Sequence, residues 1–421
     1  MTEGHPTRDA AAVMPGGEPA GPPRTYGSIV WGQLKKRPSA MVSLGFIVLV
    51  ALAAMLAPLV GGEVPIRWVE DGEVSWPIVR YLTNAEYVAM AAFLLGAGLP
   101  LTIRLVRPGA ERVGASPVLR ALAIHAVILA LVAGLLFGLR DPERSYGFYL
   151  ERADEAEAAW FPLIAYPKNP GFSELPHKEQ PPSWLGWLVP DAYPEPSWDH
   201  PLGTGRIGDD VLIRLLYGAR TALTIGFVAV GISLAIGVLL GAVSGYCGGW
   251  VDLVLMRLAE IVMSIPRLIL IIIMITVIPE RWIPAIWTVV LVLGVTGWTG
   301  TYRLMRAELL RIRGEDYMTA ARALGVRTGR LLVRHAVPNG LAPILVGATF
   351  RIAGAIFLEV TLAFLGLVQT ASWGTMLNDG RQHLEYWWLW ATSGSAIFLT
   401  VFAYNLLGEG IRDAIDPRLR I

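Results

Sequence analysis

The sequence predicts an all-α integral membrane protein with about eight transmembrane helices and a large extracytoplasmic loop. Three observations lead there. The 421 residues are 54% hydrophobic and 16% charged, against roughly 25% charged in an average soluble domain, and the mean hydropathy is +0.51. Eight apolar runs approach the length of about 20 residues that a hydrocarbon core about 30 Å thick requires of a helix. Basic residues also gather on the short connections of one side.

The runs come in the order 39–60, 87–103, 121–139, 221–243, 261–278, 283–302, 341–365 and 387–407. The second is the shortest, and the fifth carries Arg267 near its start. Residues 1–38 read as a cytoplasmic tail, mostly disordered and rich in Gly, Pro and Ala. Lys35, Lys36 and Arg37 precede the first run, which reads as a signal anchor, so the positive-inside rule places the N-terminus in the cytoplasm. Eight crossings return the tail at 411–421 to the same side. Over the short connections, 21 basic residues fall inside and 4 outside. Residues 61–139 hold two of the spans. Residues 140–220 form an external segment with 13 acidic residues, 8 basic residues and 11 prolines, together with Trp160, Trp184, Trp187 and Trp198. Proline suppresses helix and strand interiors while the aromatics argue for packing, so this segment reads as an irregular extracytoplasmic cap. A loose tether with tryptophans dipping into lipid headgroups is the alternative.

Composition excludes several functions. A net charge of +1 gives no global field for nucleic acid. Cys247 is the single cysteine, which excludes an internal disulfide and a Cys-clustered metal site. None of the four lysines follows a glycine, so the chain has no phosphate-binding loop of its own. The six histidines, His125 in the third run among them, are scattered without metal-site spacing, which disfavours an intramembrane enzyme.

The informative connection runs from 303 to 340. Residues 315–325 predict a short helix: Glu315 and Asp316 suit its N-terminal dipole, Met318, Ala321 and Leu324 recur at helical spacing, and Gly325 fits a left-handed terminus. Thr328 is placed to cap a second helix that runs to about His335 and is stopped by Pro338. The product is a helical elbow outside the bilayer. Within the spans, Gly237, Gly241 and Gly245 repeat every four residues and form a groove for close helix packing. Arg351 and Glu359 lie inside the seventh run, about 12 Å apart along one helix, too far to pair with each other. Costly intramembrane charges face a bundle interior, so both are candidates for interhelical pairing, for the pathway or for a subunit interface.

Thr319-Ala320-Ala321, Gly325 and His335-Ala336-Val337-Pro338-Asn339 resemble the Glu-Ala-Ala cytoplasmic loop of ABC importer permeases. The spacing is kept throughout, with Thr319 in place of the family glutamate and His335 in place of a hydrophobic residue. His200-Pro201-Leu202-Gly203-Thr204, Gly208-Asp209-Asp210-Val211, Gly248-Gly249-Trp250-Val251-Asp252, Ser264-Ile265-Pro266, Ser372-Trp373-Gly374 and the tail Asp416-Pro417-Arg418 are similar to the dipeptide and oligopeptide C-type subunits. The proline- and tryptophan-rich approach has a weaker similarity to the microcin-C type. The resemblance implies a six-helix permease core, completed over 221–410, to which 61–198 adds two helices and a larger cap. It implies that Thr319, Ala320, Ala321, Arg322, Gly325, Pro338 and Asn339 form the contact with an ATPase. It further implies two ABC ATPase subunits or domains that hold ATP and Mg2+, a second permease subunit as heterodimer partner, an extracytoplasmic solute-binding protein, and residence among the lipids of a bacterial plasma (inner) membrane. No cofactor is expected in this chain. The function so implied is ATP-driven import of peptides or related small solutes, with an ion-coupled secondary transporter acting without an ATPase as the alternative.

Overall fold

The computed structural model describes residues 26–62, 64–82, 156–164, 179–185 and 200–415, with isolated positions between 87 and 132. Helix α1 (Tyr26–Leu34) occupies part of the tail expected to be mostly disordered. It is followed by α2 (Pro38–Val60), whose Pro38 supplies a first-turn residue that needs no amide donor. Strands β1 (Arg67–Glu70) and β2 (Glu73–Ser75), helix α3 (Pro77–Tyr81) and strand β3 (Ala158–Trp160) come next. The strands form an antiparallel sheet in the order β2-β1-β3, with Val69 opposite both Val74 and Ala158. This corrects the expectation of a purely helical chain. Strands of three or four residues leave too short an alternation to stand out beside prolines and tryptophans.

Helix α4 (Val211–Cys247) begins well before the expected span at 221 because Asp210 caps it, its carboxylate accepting from the Ile213 amide at 3.0 Å. Helices α5 (Gly249–Ser264) and α6 (Arg267–Val277) follow, then α7 (Ala285–Arg313), the elbow helices α8 (Asp316–Ala323) and α9 (Thr328–Leu331), α10 (Val337–Phe364), α11 (Trp373–Gln382) and α12 (Trp387–Ile415). Among the described residues five helical stretches are long and apolar enough to cross a membrane: α2, α4, α7, the run from Thr328 through α10, and α12. The α5 and α6 pair makes a sixth if the two are counted as one span. The expected runs at 87–103 and 121–139 lie almost wholly outside the described residues; of the other six, five have a long helix as counterpart and the sixth, 261–278, falls on the bent α5–α6 pair.

Two expected continuities differ. The run at 261–278 is a pair bent by 75°. Pro266 has no amide proton and forces Ile265 into an extended conformation, φ −88° and ψ 121°, which ends α5. Conversely, Pro338 does not stop the second elbow helix. A π turn over Leu332–Ala336, closed by the Val337 amide on the Leu332 carbonyl, shifts the hydrogen-bond register and leads directly into α10, with Pro338 in its first turn. Thr328 makes no capping bond there; Arg327 occupies the cap position.

The main core joins α2, α4, α7, α10, α11 and α12 around residues such as Ile225, Val289, Ile356 and Leu362. Its tightest seam is α4 on α7. An added Cβ at Gly241 would lie 2.7 Å from the Tyr302 carbonyl oxygen, one at Gly245 would lie 2.6 Å from that of Arg306, and one at Gly237 would collide with Thr301. Backbone thus lies on backbone along the glycine groove. A second, smaller core sits under the elbow.

Candidate functional site

The elbow is built from α7 outward. Gly314 ends α7, and after Glu315 the chain turns into α8, with Asp316 in the first turn. Its C-terminus closes as a Schellman motif: Gly325 donates to the Arg322 carbonyl at 2.9 Å and Val326 to that of Ala321 at 3.2 Å. Gly325 has φ +77°, a conformation that costs an L side chain about 1–2 kcal/mol. The underside is apolar. Met318, Leu331 and Ala336 are buried against Met305, Leu309, Ile312 and Ile344. Asn339 donates to the Tyr317 hydroxyl at 3.3 Å, and the Arg322 guanidinium stacks 5.3 Å from the Tyr246 ring.

The outer face is open. Thr319, Ala320 and Ala323 are exposed, and Leu324, which shares the spacing of Met318, is 84% exposed. Leu324 continues the helical spacing of Met318, but it stands at the cap, where the chain is already turning away. An elbow with a buried underside and an exposed, small-residue outer face can accept a second surface without repacking itself. Pro338 and Asn339 stand at the base of α10, next to this face.

Arg351 and Glu359 do not meet. Arg351 donates to the Thr301 hydroxyl on α7. Glu359 is fully buried, and Ser372 donates to its carboxylate at 2.6 Å. Ser372 is also the capping residue of α11, where its hydroxyl accepts from the Gly374 amide at 3.0 Å. The Glu359 carboxylate is therefore enclosed by this chain alone and fastens α11 to α10.

Three clusters were not identified from residue chemistry alone. At the elbow end Arg306 on α7 grips Asp252 on α5, with Nη2 2.5 Å from Oδ2 and Nε on Oδ1. Ser244 donates to Asp252 at 2.5 Å and lies 2.9 Å from the Tyr302 hydroxyl. At the opposite end His200 pairs with Asp210 at 2.9 Å, both buried, and Arg214 bridges Asp209 at 2.6 Å and Asp379 at 2.8 Å. Nearby, Trp388 donates to the Thr204 carbonyl at 3.0 Å, and Tyr386 donates to Glu179 at 2.5 Å. That hydrogen bond to a carboxylate pushes the Tyr386 phenol up to about 12, so it remains a neutral donor. The available signal was the appearance of charges beside apolar runs; what it lacked was the partner, which lies up to 207 residues away.

Comparison with known proteins bears on this arrangement. Residues 237–421 match the family described as binding-protein-dependent transport system inner membrane component, and residues 25–63 match the N-terminal transmembrane domain of oligopeptide transport permease C. The oligopeptide transport system permease protein OppC of Bacillus subtilis is 40% identical over 230 residues, 53% of this chain and 74% of that protein. The chain belongs to this permease family. The dipeptide transport system permease protein DppC of the same organism is 39% identical over 230 residues, 53% of this chain and 71% of that one. OppC of Haemophilus influenzae is 32% identical over 249 residues, 56% and 79% of the two chains. The family comprises transport components rather than enzymes, in keeping with a permease that has no phosphate-binding loop in its sequence. The elbow, the broken α5–α6 pair and α10 to α12 all fall inside the matched segment, whereas the buried pairs around 200–214 precede it.

Proposed function

We propose that this permease is the membrane-spanning subunit of an ATP-driven importer for peptides or related small solutes, and that α8 is its contact with the ATPase. The elbow carries this reading: a short helix, pinned beneath by its own core and bare above at Thr319, Ala320, Ala323 and Leu324, sits between two long helices. A push on such a helix moves α7 and α10 as rigid bodies, whereas a loose loop would absorb it. Thr319, Ala320, Ala321, Arg322, Gly325, Pro338 and Asn339 form or shape that contact, and Thr319 supplies no carboxylate to it. Glu359 holds the fold together. Arg351, half-buried on the same helix, is the better candidate for the pathway or subunit interface.

In this reading both termini are cytoplasmic, the membrane is the bacterial inner membrane, and eight helices cross it. Residues 61–139 add two of the crossings to the core of 221–410, and 140–220 belong to an extracytoplasmic cap that faces a solute-binding protein. A second permease subunit completes the pathway, and two ATPase subunits or domains bind ATP and Mg2+. Membership in the permease family favours this over an ion-coupled transporter.

The test is purification of the tagged chain from its native membrane, followed by reconstitution. An ATPase and a second permease should co-elute, and proteoliposomes given a binding protein outside and ATP inside should accumulate a labelled dipeptide. Uptake driven by a proton or sodium gradient without ATP would overturn the reading.

A further inference from the structure

Helix α5 is the least integrated of the long apolar elements. Of its residues only Ala259 is buried, while Trp250, Leu253, Val254, Leu258 and Ile261 are exposed. Its two ends are joints. Gly248 and Gly249 have φ +66° and +57°, and at the other end Ile265-Pro266 sets the 75° bend into α6. A cleft of about 410 Å³ opens between α5 and α7, lined by Met256, Glu260, Met263 and Arg303 and edged by Ala259, Tyr302 and Arg306 of the contacts that join the two helices. What joins the two helices is an apolar cluster in which Leu255, Ala259 and Val262 of α5 pack with Trp298 and Tyr302 of α7, together with the Asp252–Arg306 grip. Apolar contact is non-directional and tolerates sliding, whereas a two-point guanidinium–carboxylate contact fixes both distance and orientation.

We propose that Asp252 and Arg306 are positioning residues, a latch that makes α5 follow α7 as one body when the elbow is driven. This rests on α8 being the ATPase contact. Arg306 stands about 10 Å, two helical turns, before the end of α7 at Arg313, where the elbow begins. Its own place is set by the glycine groove, since the Gly245 backbone lies against the Arg306 carbonyl. Ser244, on the same stretch of α4, donates to the same Asp252 oxygen, Oδ1, that receives Arg306 Nε. Motion of the elbow therefore reaches Arg306 through rigid backbone, and Arg306 passes it to α5 through one carboxylate.

Spin labels at Val254→Cys and Leu310→Cys, with Cys247→Ser, report the α5–α7 distance in the purified importer, nucleotide-free and trapped with ATP and vanadate. With the latch intact, the distance distribution should stay narrow and the same in both states. In Asp252→Asn or Arg306→Gln it should broaden by about two-fold and shift between states, as expected when a charge-assisted pair is lost. The exchange Asp252→Arg with Arg306→Asp should restore the narrow distribution, an outcome that general misfolding could not give. A latched protein whose distance changes on trapping, or single variants that keep the narrow distribution, would overturn the latch. Wild-type protein that yields no ATPase in the complex would overturn the elbow reading, and the latch with it.

Discussion

The two ends of the helix bundle are held by different physics. At the end opposite the elbow, buried polar groups tie helix ends together: Arg214 reaches Asp209 and, 165 residues along the chain, the partly exposed Asp379, while His200 reaches Asp210 and Ser372 reaches Glu359. At the elbow end most polar ties are exposed, as with Arg311 to Glu308 and Glu315 or Asn339 to Tyr317, and the Asp252–Arg306 contact is only partly buried. Exposed pairs such as those of Arg311 contribute between 0 and about 1 kcal/mol, whereas stripping one partner from a buried pair costs about 3–5 kcal/mol. One end is thus tied by buried polar contacts, whereas at the elbow end the outer ties are exposed and can shift at little cost while Asp252–Arg306 keeps α5 on α7, as expected if driving force arrives at the elbow.

The sharpest way to break this contrast is at Arg214. Arg214→Met leaves Asp209 buried and unpaired and should cost about 3–5 kcal/mol. The folded protein should largely disappear from detergent extracts in fluorescence-detected gel filtration. A melting temperature close to wild type would mean that the opposite end is not locked by charge. Ser372→Ala is a milder probe of the same end. It removes both the Glu359 hydrogen bond and the α11 cap, for about 1–3 kcal/mol, so the variant should accumulate but melt several degrees lower.

The locked end was also the less legible in the sequence. Span positions follow from runs of apolar residues, which is local information, and the glycine spacing at 237, 241 and 245 pointed to a groove whose facing helix only the fold supplies. The short elbow helix and its left-handed Gly325 are likewise local, encoded within about ten residues. Arg214 with Asp379, or Glu359 with Ser372, depends on which helix ends meet, and no periodicity carries that. The errors have the same origin. Pro266 broke a run that hydropathy alone joined, and Pro338 failed to end a helix because a π turn absorbed its missing hydrogen bond. Of the strands, β1 and β2 form a local hairpin whose Asp71-Gly72 turn was a readable signal, whereas the pairing of β1 with β3 at 158–160 spans a long separation that no local pattern carries.

At the elbow the contrast predicts loss of function without loss of fold. A Cβ added at Gly325 meets no atom within 4 Å, so the penalty of Gly325→Val comes chiefly from the positive φ, about 1–2 kcal/mol and confined to the turn. The variant should still accumulate in the membrane and melt at most a few degrees lower, while ATP-dependent uptake falls. Asn at the same position tolerates the left-handed region better and should retain more uptake than Val. Equal loss of protein and uptake in both variants would show that the elbow is as rigidly bound to the fold as the Arg214 cluster.

The smallest effect on stability is expected at Leu324. A side chain 84% exposed contributes almost nothing to the isolated subunit, so Leu324→Ser should leave the melting temperature within the range of a surface substitution, about 0.5 kcal/mol. An exposed leucine at the rim of a bare helical face gains its value only when another surface covers it, and removing it would then weaken that contact by about 1.5–3 kcal/mol. The measurement is the amount of ATPase retained per permease after washing in detergent, compared with the same ratio for Arg311→Ala, which disrupts only surface ion pairs on the neighbouring turn. Reduced retention for Leu324→Ser alone would place the covered surface on α8 itself; equal retention in both would move the contact away from this face.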